Sequence, residues 1–142
     1  MNDEQPTELA ADECWQLLRE HEFGRLAFTI AGEQHITPIN YAVDGETLLF
    51  RTAPGTKLLA VALGAEVAFE IDDFAGETAI SVVVRGRARQ LDEHEEHRAE
   101  NVPLRPWVGP EKYDVVEIAP TDVSGRRFDL DRPWLHLRVE EG

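Results

Sequence analysis

A chain of 142 residues with 28 acidic and 14 basic side chains carries a net charge of −14, which repels nucleic acid and anionic membranes alike. The length bounds one domain, residues 1–142, large enough to bury a core without staples. A lone Cys14 excludes an internal disulfide, no apolar run approaches the ~20 residues of a membrane helix, and the start Met1-Asn2-Asp3-Glu4 has no leader pattern, so the cytoplasm is the expected location.

Residues 1–8 are polar and read as frayed. Over 12–21, Cys14, Leu17, Leu18 and His21 recur on one side, the spacing of an amphipathic helix that Gly24 ends. Residues 25–30 read as a strand, followed by an Ala31-Gly32 turn. A second strand over 35–43 runs into Asp44-Gly45, a strong hairpin signal, and 47–52 return. A short helix is expected over 57–63, with Leu58, Leu59, Ala62 and Leu63 on its apolar side and Gly64 as its C-cap. Residues 66–72 alternate: Val67, Phe69 and Ile71 on one face, Glu66, Ala68, Glu70 and Asp72 on the other. The longest strand candidate is 78–91, whose middle, Ser81-Val82-Val83-Val84, is apolar on both faces as a central strand would be. Residues 92–100 are acidic and read as helical, and 101–110 as irregular around Trp107. Residues 113–123 and 126–130 read as final strands either side of a Ser124-Gly125 turn.

Short turns between successive strands imply antiparallel pairing, and closing such a sheet removes its edges. The expected fold is therefore mainly β with peripheral α: a small closed or split antiparallel β-barrel of six or so strands with short flanking helices.

The strongest chemical signal is Phe50-Arg51-Thr52-Ala53-Pro54-Gly55-Thr56-Lys57-Leu58. An arginine ends an apolar run, a Pro-Gly turn follows, and Thr-Lys opens the expected helix. Cations, hydroxyls and free backbone N–H groups then converge on one spot, which suits a phosphate. The chain has only two lysines, Lys57 and Lys112. The spacing is not that of a P-loop. The bland alternative is a helix capped by Thr56 with Arg51 and Lys57 solvated.

Other candidates are weaker. Pro38 interrupts a strand, so it marks an edge or bulge. With Asn40 and Tyr41 after it, that strand either meets a planar ligand or is an ordinary edge. Arg85, Arg87 and Arg89 share one strand face, as an anion stripe or as partners of acids such as Glu70 and Asp72. His94 and His97 stand at i, i+3 rather than the i, i+4 of H-E-x-x-H, so a solvated helix is expected and no metal site is assigned. Cys14 reads as an inert core thiol, and Trp107 either stacks on a ring or packs. No nucleophile–base–acid set stands at recognisable spacing, so catalytic residues are unassigned and any catalysis would come from a bound cofactor.

Several segments, taken in order, resemble the pyridoxamine 5′-phosphate oxidase-like flavoproteins with a split β-barrel fold. They are Gly24-Arg25-Leu26-Ala27-Phe28, Pro38-Ile39-Asn40-Tyr41, the Phe50–Leu58 segment, Val67-Ala68-Phe69-Glu70-Ile71-Asp72, Ser81-Val82-Val83-Val84-Arg85-Gly86 and Val123-Ser124-Gly125-Arg126-Arg127. They span most of residues 9–130. The resemblance implies a homodimer with two flavin sites at the subunit interface. It assigns Arg51, Thr52, Thr56 and Lys57 to the cofactor phosphate and Pro38, Asn40 and Tyr41 to the flank of the isoalloxazine ring. Ser81 and Val82 would lie close to the cofactor, and Trp107 would contribute from the partner subunit. FMN is the implied cofactor, with deazaflavin the alternative; related proteins bind haem. The implied activity is that of an FMN-dependent oxidoreductase on a small organic substrate. A non-catalytic flavin carrier or sensor and a deazaflavin-dependent reductase are the alternatives. Ala79-Ile80 stand where many members carry Gly-Trp, a departure beside the ring or substrate.

Overall fold

The computed structural model describes residues 6–53, 63–104 and 113–130. In chain order these form β1 (Thr7–Glu8), α1 (Ala11–Glu20), β2 (Phe23–Ile30), β3 (Glu33–Asp44), β4 (Thr47–Thr52), β5 (Leu63–Ala75) and β6 (Thr78–Gln90). A 3₁₀ helix (Glu96–Asn101) and the long β7 (Asp114–Asp129) follow. Every pairing is antiparallel, in the order β1-β7-β4-β3-β2-β5-β6, and β6 pairs back onto β7. The strands from β2 to β7 thus close into a barrel, with β1 lying outside the ring. The mainly β, antiparallel barrel with flanking helices is the expected fold.

Closure follows from period-two patterning. Leu26, Phe28, Ile39, Tyr41, Leu48, Phe50, Phe69, Ile71, Val82, Val84, Val116 and Ile118 all point inward into one core. Helix α1 covers one end, burying Cys14 and Leu18 completely. Glu13 reaches back to accept a hydrogen bond from the Ala10 N–H (3.0 Å), satisfying a donor that the first turn leaves free. At the other terminus the Tyr41 hydroxyl donates to the Leu18 carbonyl (2.7 Å), while its ring meets Phe69 edge-on at 4.8 Å. Burial, with help from Glu22, pushes the Tyr41 phenol well above its ordinary pKa, so it stays a neutral donor.

A second, smaller core lies on the outside of the barrel. Ala42, Leu49 and Val115 point outward from β3, β4 and β7 and are covered by Leu91, Ala99 and Leu104. This explains the runs Leu48-Leu49-Phe50 and Val115-Val116: both faces of those strands are buried.

The structure corrects four expectations. Residues 7–8 are not frayed, because Thr7 and Glu8 pair with Arg127 and Arg126. Residues 92–100 are helical only in their second half, and as a 3₁₀ rather than an α-helix: a turn leads into the Glu96–Asn101 segment, which brings Ala99 and Leu104 down onto Leu49. Gly64 caps no helix among the described residues; it sits at φ 92° where the β5–β6 register breaks between Leu63 and Glu66. The expected helix over 57–63 otherwise falls outside the described residues.

The fourth correction concerns Ser124-Gly125, which makes no turn and lies inside one continuous β7. Gly125 is there because α1 packs on it: a Cβ would stand 2.7 Å from the Cys14 sulfur and 3.1 Å from Leu9 Cδ1. Gly125→Val should therefore lower stability by about 1–3 kcal/mol, the usual cost of overpacking. Urea unfolding of the two proteins checks this, and an unchanged midpoint would show that α1 tolerates displacement.

Candidate functional site

The covering segment divides the barrel's outer surface. Beyond it, the outward residues of β3, β2, β5 and β6 form an open face. Registers place Pro38 opposite Arg25, Arg25 opposite Glu70, and Asp72 opposite Ser81, so these residues form a band across four strands. Hydrogen bonds knit it: Arg25 donates to Glu70 and to Asp72, each at 2.5 Å, and the Ser81 hydroxyl lies 3.3 Å from the second Glu70 oxygen. Hydrogen bonding to Glu70 is the main reason the Arg25 guanidinium is raised above its ordinary pKa, although desolvation opposes it.

Asn40 stands one outward position past Pro38 on β3, half-buried, just before Ala42 passes beneath the covering segment. Tyr41 pairs with Phe50, so Asn40 and Arg51 both lie one step beyond the last pair of that ladder. Arg51 is half-buried and donates from Nη1 to the Leu104 carbonyl (3.0 Å), at the border between the covered and open faces. Thr52 is buried beside it, opposite Asp114.

The expected site residues therefore separate into groups. Pro38, Asn40 and Ser81 share the open face, with Arg51 at its border. Tyr41 and Val82 point into the core, at 1% and 0% exposure, so only their backbone faces outward. Val83, the half-buried neighbour of Val82, takes the outward position. Thr56, Lys57 and Trp107 lie outside the described residues. Arg25 and Glu70, which bridge Pro38 and Ser81, were not among the expected site residues. Their signal was a charge at the outward position of otherwise apolar strands. Of the expected arginine stripe, Arg89 chelates Glu95 and Glu117, while Arg87 reaches the Gly64 carbonyl and Glu66. Glu70 and Asp72 are held by Arg25 instead. His97 donates from Nδ1 to the His94 carbonyl, and no cluster of metal-ligating side chains forms among the described residues.

Ion pairs hold the covering segment that carries Leu104. Arg98 donates to Asp44 (2.6 Å), to Thr47 Oγ1 (3.1 Å) and to the buried Glu117 (2.7 Å). The second Glu117 oxygen accepts from Arg89 (2.9 Å), which also grips Glu95 with two hydrogen bonds of 2.9 Å. The Arg89 hydrogen bonds hold the Glu95 carboxyl down to about 2.

The family model described as pyridoxamine 5′-phosphate oxidase matches residues 10–127. An uncharacterized Mycobacterium tuberculosis protein, Rv0080, is 35% identical over 131 residues, covering 87% of this chain and 86% of its own length. Among solved structures, the FAD binding protein from Mycobacterium smegmatis superposes with a TM-score of 0.81 at 44% identity, over 88% of this chain and 100% of that one. A FAD-binding protein from Mesorhizobium loti, mll6688, gives 0.75 at 25% identity, over 87% and 96%.

The depressed Glu95 carboxyl contributes stability that is complete above its ordinary 4.5 and disappears as the pH falls toward about 2. The unfolding midpoint of the native sequence should therefore decline across that window. Glu95→Gln should decline less, because its side chain does not titrate; parallel pH profiles would remove the Arg89–Glu95 contribution.

Proposed function

The chain belongs to the pyridoxamine 5′-phosphate oxidase family, and we propose that it is a flavin-binding oxidoreductase acting on a small organic substrate. The observation that carries this reading is the convergence at the open face. Pro38 and Asn40 present a β3 strand whose Tyr41 is locked inward, and Arg51 stands where β4 leads into Pro54-Gly55-Thr56-Lys57. The residues fit the group. A planar ring needs a flat strand surface with few projecting side chains, which Pro38 and half-buried Asn40 supply. A phosphate needs charge-assisted donors, for which Arg51, Thr52, Thr56 and Lys57 are of the right chemistry. Among the described residues the Arg51 guanidinium donates only to the Leu104 carbonyl, from Nη1, and its other donors suit an anion.

In this reading the flavin, when bound, supplies hydride or electron transfer, and the chain's residues bind and orient it and limit access to it. Ser81 and the backbone of Tyr41 and Val82 line the ring side, and Trp107 reaches it from the partner subunit of a homodimer. FMN is the cofactor suggested by the 50–58 segment. FAD is a second reading, favoured by the FAD-binding relatives, and the same phosphate residues would serve it. A carrier or sensor differs from an oxidoreductase only in lacking turnover. The visible spectrum of the purified protein, before and after addition of FMN or FAD, tests flavin binding. Turnover with reduced nicotinamide then tests the redox activity.

Arg51→Ala and Lys57→Ala should each weaken flavin binding about ten- to hundredfold, the equivalent of a charge-assisted hydrogen bond, while leaving the fold intact. Riboflavin, which lacks the phosphate, should bind the native protein much more weakly, and the gap should shrink in Lys57→Ala. Equal affinity for riboflavin and FMN would remove the phosphate assignment. Light scattering of the cofactor-loaded protein at micromolar concentration should report a dimer, and a monomer would contradict the shared-site arrangement.

A further inference from the structure

A groove of about 720 Å³ opens on the same face, past Pro38 and away from Arg51. Its floor is the outward row Ala27, Ile36 and Ala68, and its far wall is Arg85, Gly86 and Thr121. The Ala27–Ile36 pair lies two residues along the ladder from the Arg25–Pro38 pair, roughly 7 Å at a strand's rise per residue. The groove therefore begins where the proposed ring site ends.

Its chemistry is uneven. The floor is apolar, and Ile36 is 73% exposed, unusual for an isoleucine in the middle of a strand. The charged groups facing Arg85 are Glu66, Arg87 and, across the β6–β7 ladder, Asp122. Glu66 is engaged by Arg87, which also donates to the Gly64 carbonyl (2.8 Å). No ion pair joins Arg85 to Asp122 or to any other described residue.

The backbone beneath Arg85 is held in place. The β6–β7 register shifts between Arg85 and Gly86, leaving Thr121 as the extra residue of a bulge. A side chain at position 86 would collide with the Ala119 and Pro120 backbone, so glycine is required for β7 to come so close. The Thr121 hydroxyl donates to the Arg85 carbonyl (3.2 Å). Bulges re-aim side chains beside sites, and this one lies directly under Arg85.

We propose that this groove is the substrate pocket, and that it selects a small organic acid by pairing the carboxylate with Arg85 and laying the apolar body on Ala27, Ile36 and Ala68. Placing the pocket beside the reactive ring rests on the flavin reading above; the preference for an anion does not. An arginine fork suits a carboxylate in two-point contact, and Ala27, Ile36 and Ala68 suit an apolar body.

Benzoate and its uncharged analogue benzamide are the probes. Calorimetry on the purified protein, whatever cofactor it carries, should show benzoate binding at least about tenfold more tightly than benzamide. Arg85→Gln should lose about tenfold or more of the benzoate affinity, leave benzamide unchanged, and retain native affinity for FMN and FAD. In flavin-loaded protein, saturating benzoate should also shift the visible flavin bands. Equal binding of the two probes, or benzoate affinity indifferent to Arg85→Gln, would overturn the anion assignment. Benzoate binding with no change in the flavin bands of loaded protein would overturn the substrate role. Protein that binds benzoate through Arg85 but takes up no flavin would overturn the flavin reading and leave an anion site. Dissociation of a dimer in Arg85→Gln, by light scattering, would reassign Arg85 to the subunit seam and overturn the proposal.

Discussion

The ladder between β6 and β7 is the interaction on which the rest of the molecule depends. It runs from the Thr78–Asp129 pair to the Gln90–Val116 pair, and it turns a row of strands into a closed barrel. Ile118 sits in two of the three β7 ladders, paired with Leu48 of β4 on one side and Ala88 of β6 on the other. Beyond the bulge at Thr121 the same strand turns to receive β1 and the foot of α1, where Leu9 donates to the Gly125 carbonyl (2.9 Å). Two glycines make this possible by omitting a side chain where two backbones, or a helix and a strand, must nearly touch. Gly86 serves the bulge and Gly125 serves the helix.

Closure leaves the outer surface to be divided between packing and function, and the 91–104 segment makes the division. It buries Leu49, Ala42 and Val115, and with them Glu117, at 5% exposure. A carboxylate at that depth requires compensation, and Arg89 and Arg98 supply it from two different elements. Removing either arginine leaves Glu117 with a single cationic partner. The same guanidinium of Arg98 reaches Asp44 at the β3–β4 hairpin, so the electrostatics that bury Glu117 also tie the segment to that hairpin. Leu104, the segment's last described residue, lies against Arg51 at the rim of the open face. His21 makes a comparable tie at the other end of α1, to the Leu17 carbonyl and to Asp73 on β5. Partial burial opposes protonation of His21, but these hydrogen bonds outweigh it and raise the imidazole above its ordinary pKa.

Much of this was legible in the chain. Period-two alternation over 66–72, the Asp44-Gly45 hairpin and the run of short turns predicted an antiparallel barrel, because one buried face per strand leaves a readable mark. The 12–21 helix was legible for the same reason at its own period. The misreadings share a cause. Ser124-Gly125 has the composition of a turn, but its glycine answers to a sulfur atom more than 100 residues earlier in the chain. Residues 92–100 have the composition of a helix, yet only their second half is helical, as a 3₁₀ segment whose Arg98 and Ala99 meet Glu117 and Leu49. The Ser81–Val84 run read as a central strand, and β6 does pair on both sides, although only Val82 and Val84 are buried while Ser81 and Val83 lie half-buried on the open face.

The sequence by itself determined the fold class, the alternation over 66–72, and the chemical types present in residues 50–58. These are local properties: alternation, turn chemistry and the charge on a side chain do not depend on distant partners. Only the tertiary structure decided which charges remain available. Arg25, Arg85, Arg87, Arg89 and Arg98 are equivalent as sequence, but four of them are consumed by acids brought alongside through strand register and the fold of the covering segment. Register also decided that Asn40 faces out where Tyr41 faces in. A pairing slip of one residue would exchange the two, so each side chain's role was set by long-range pairing rather than by its neighbours in the chain.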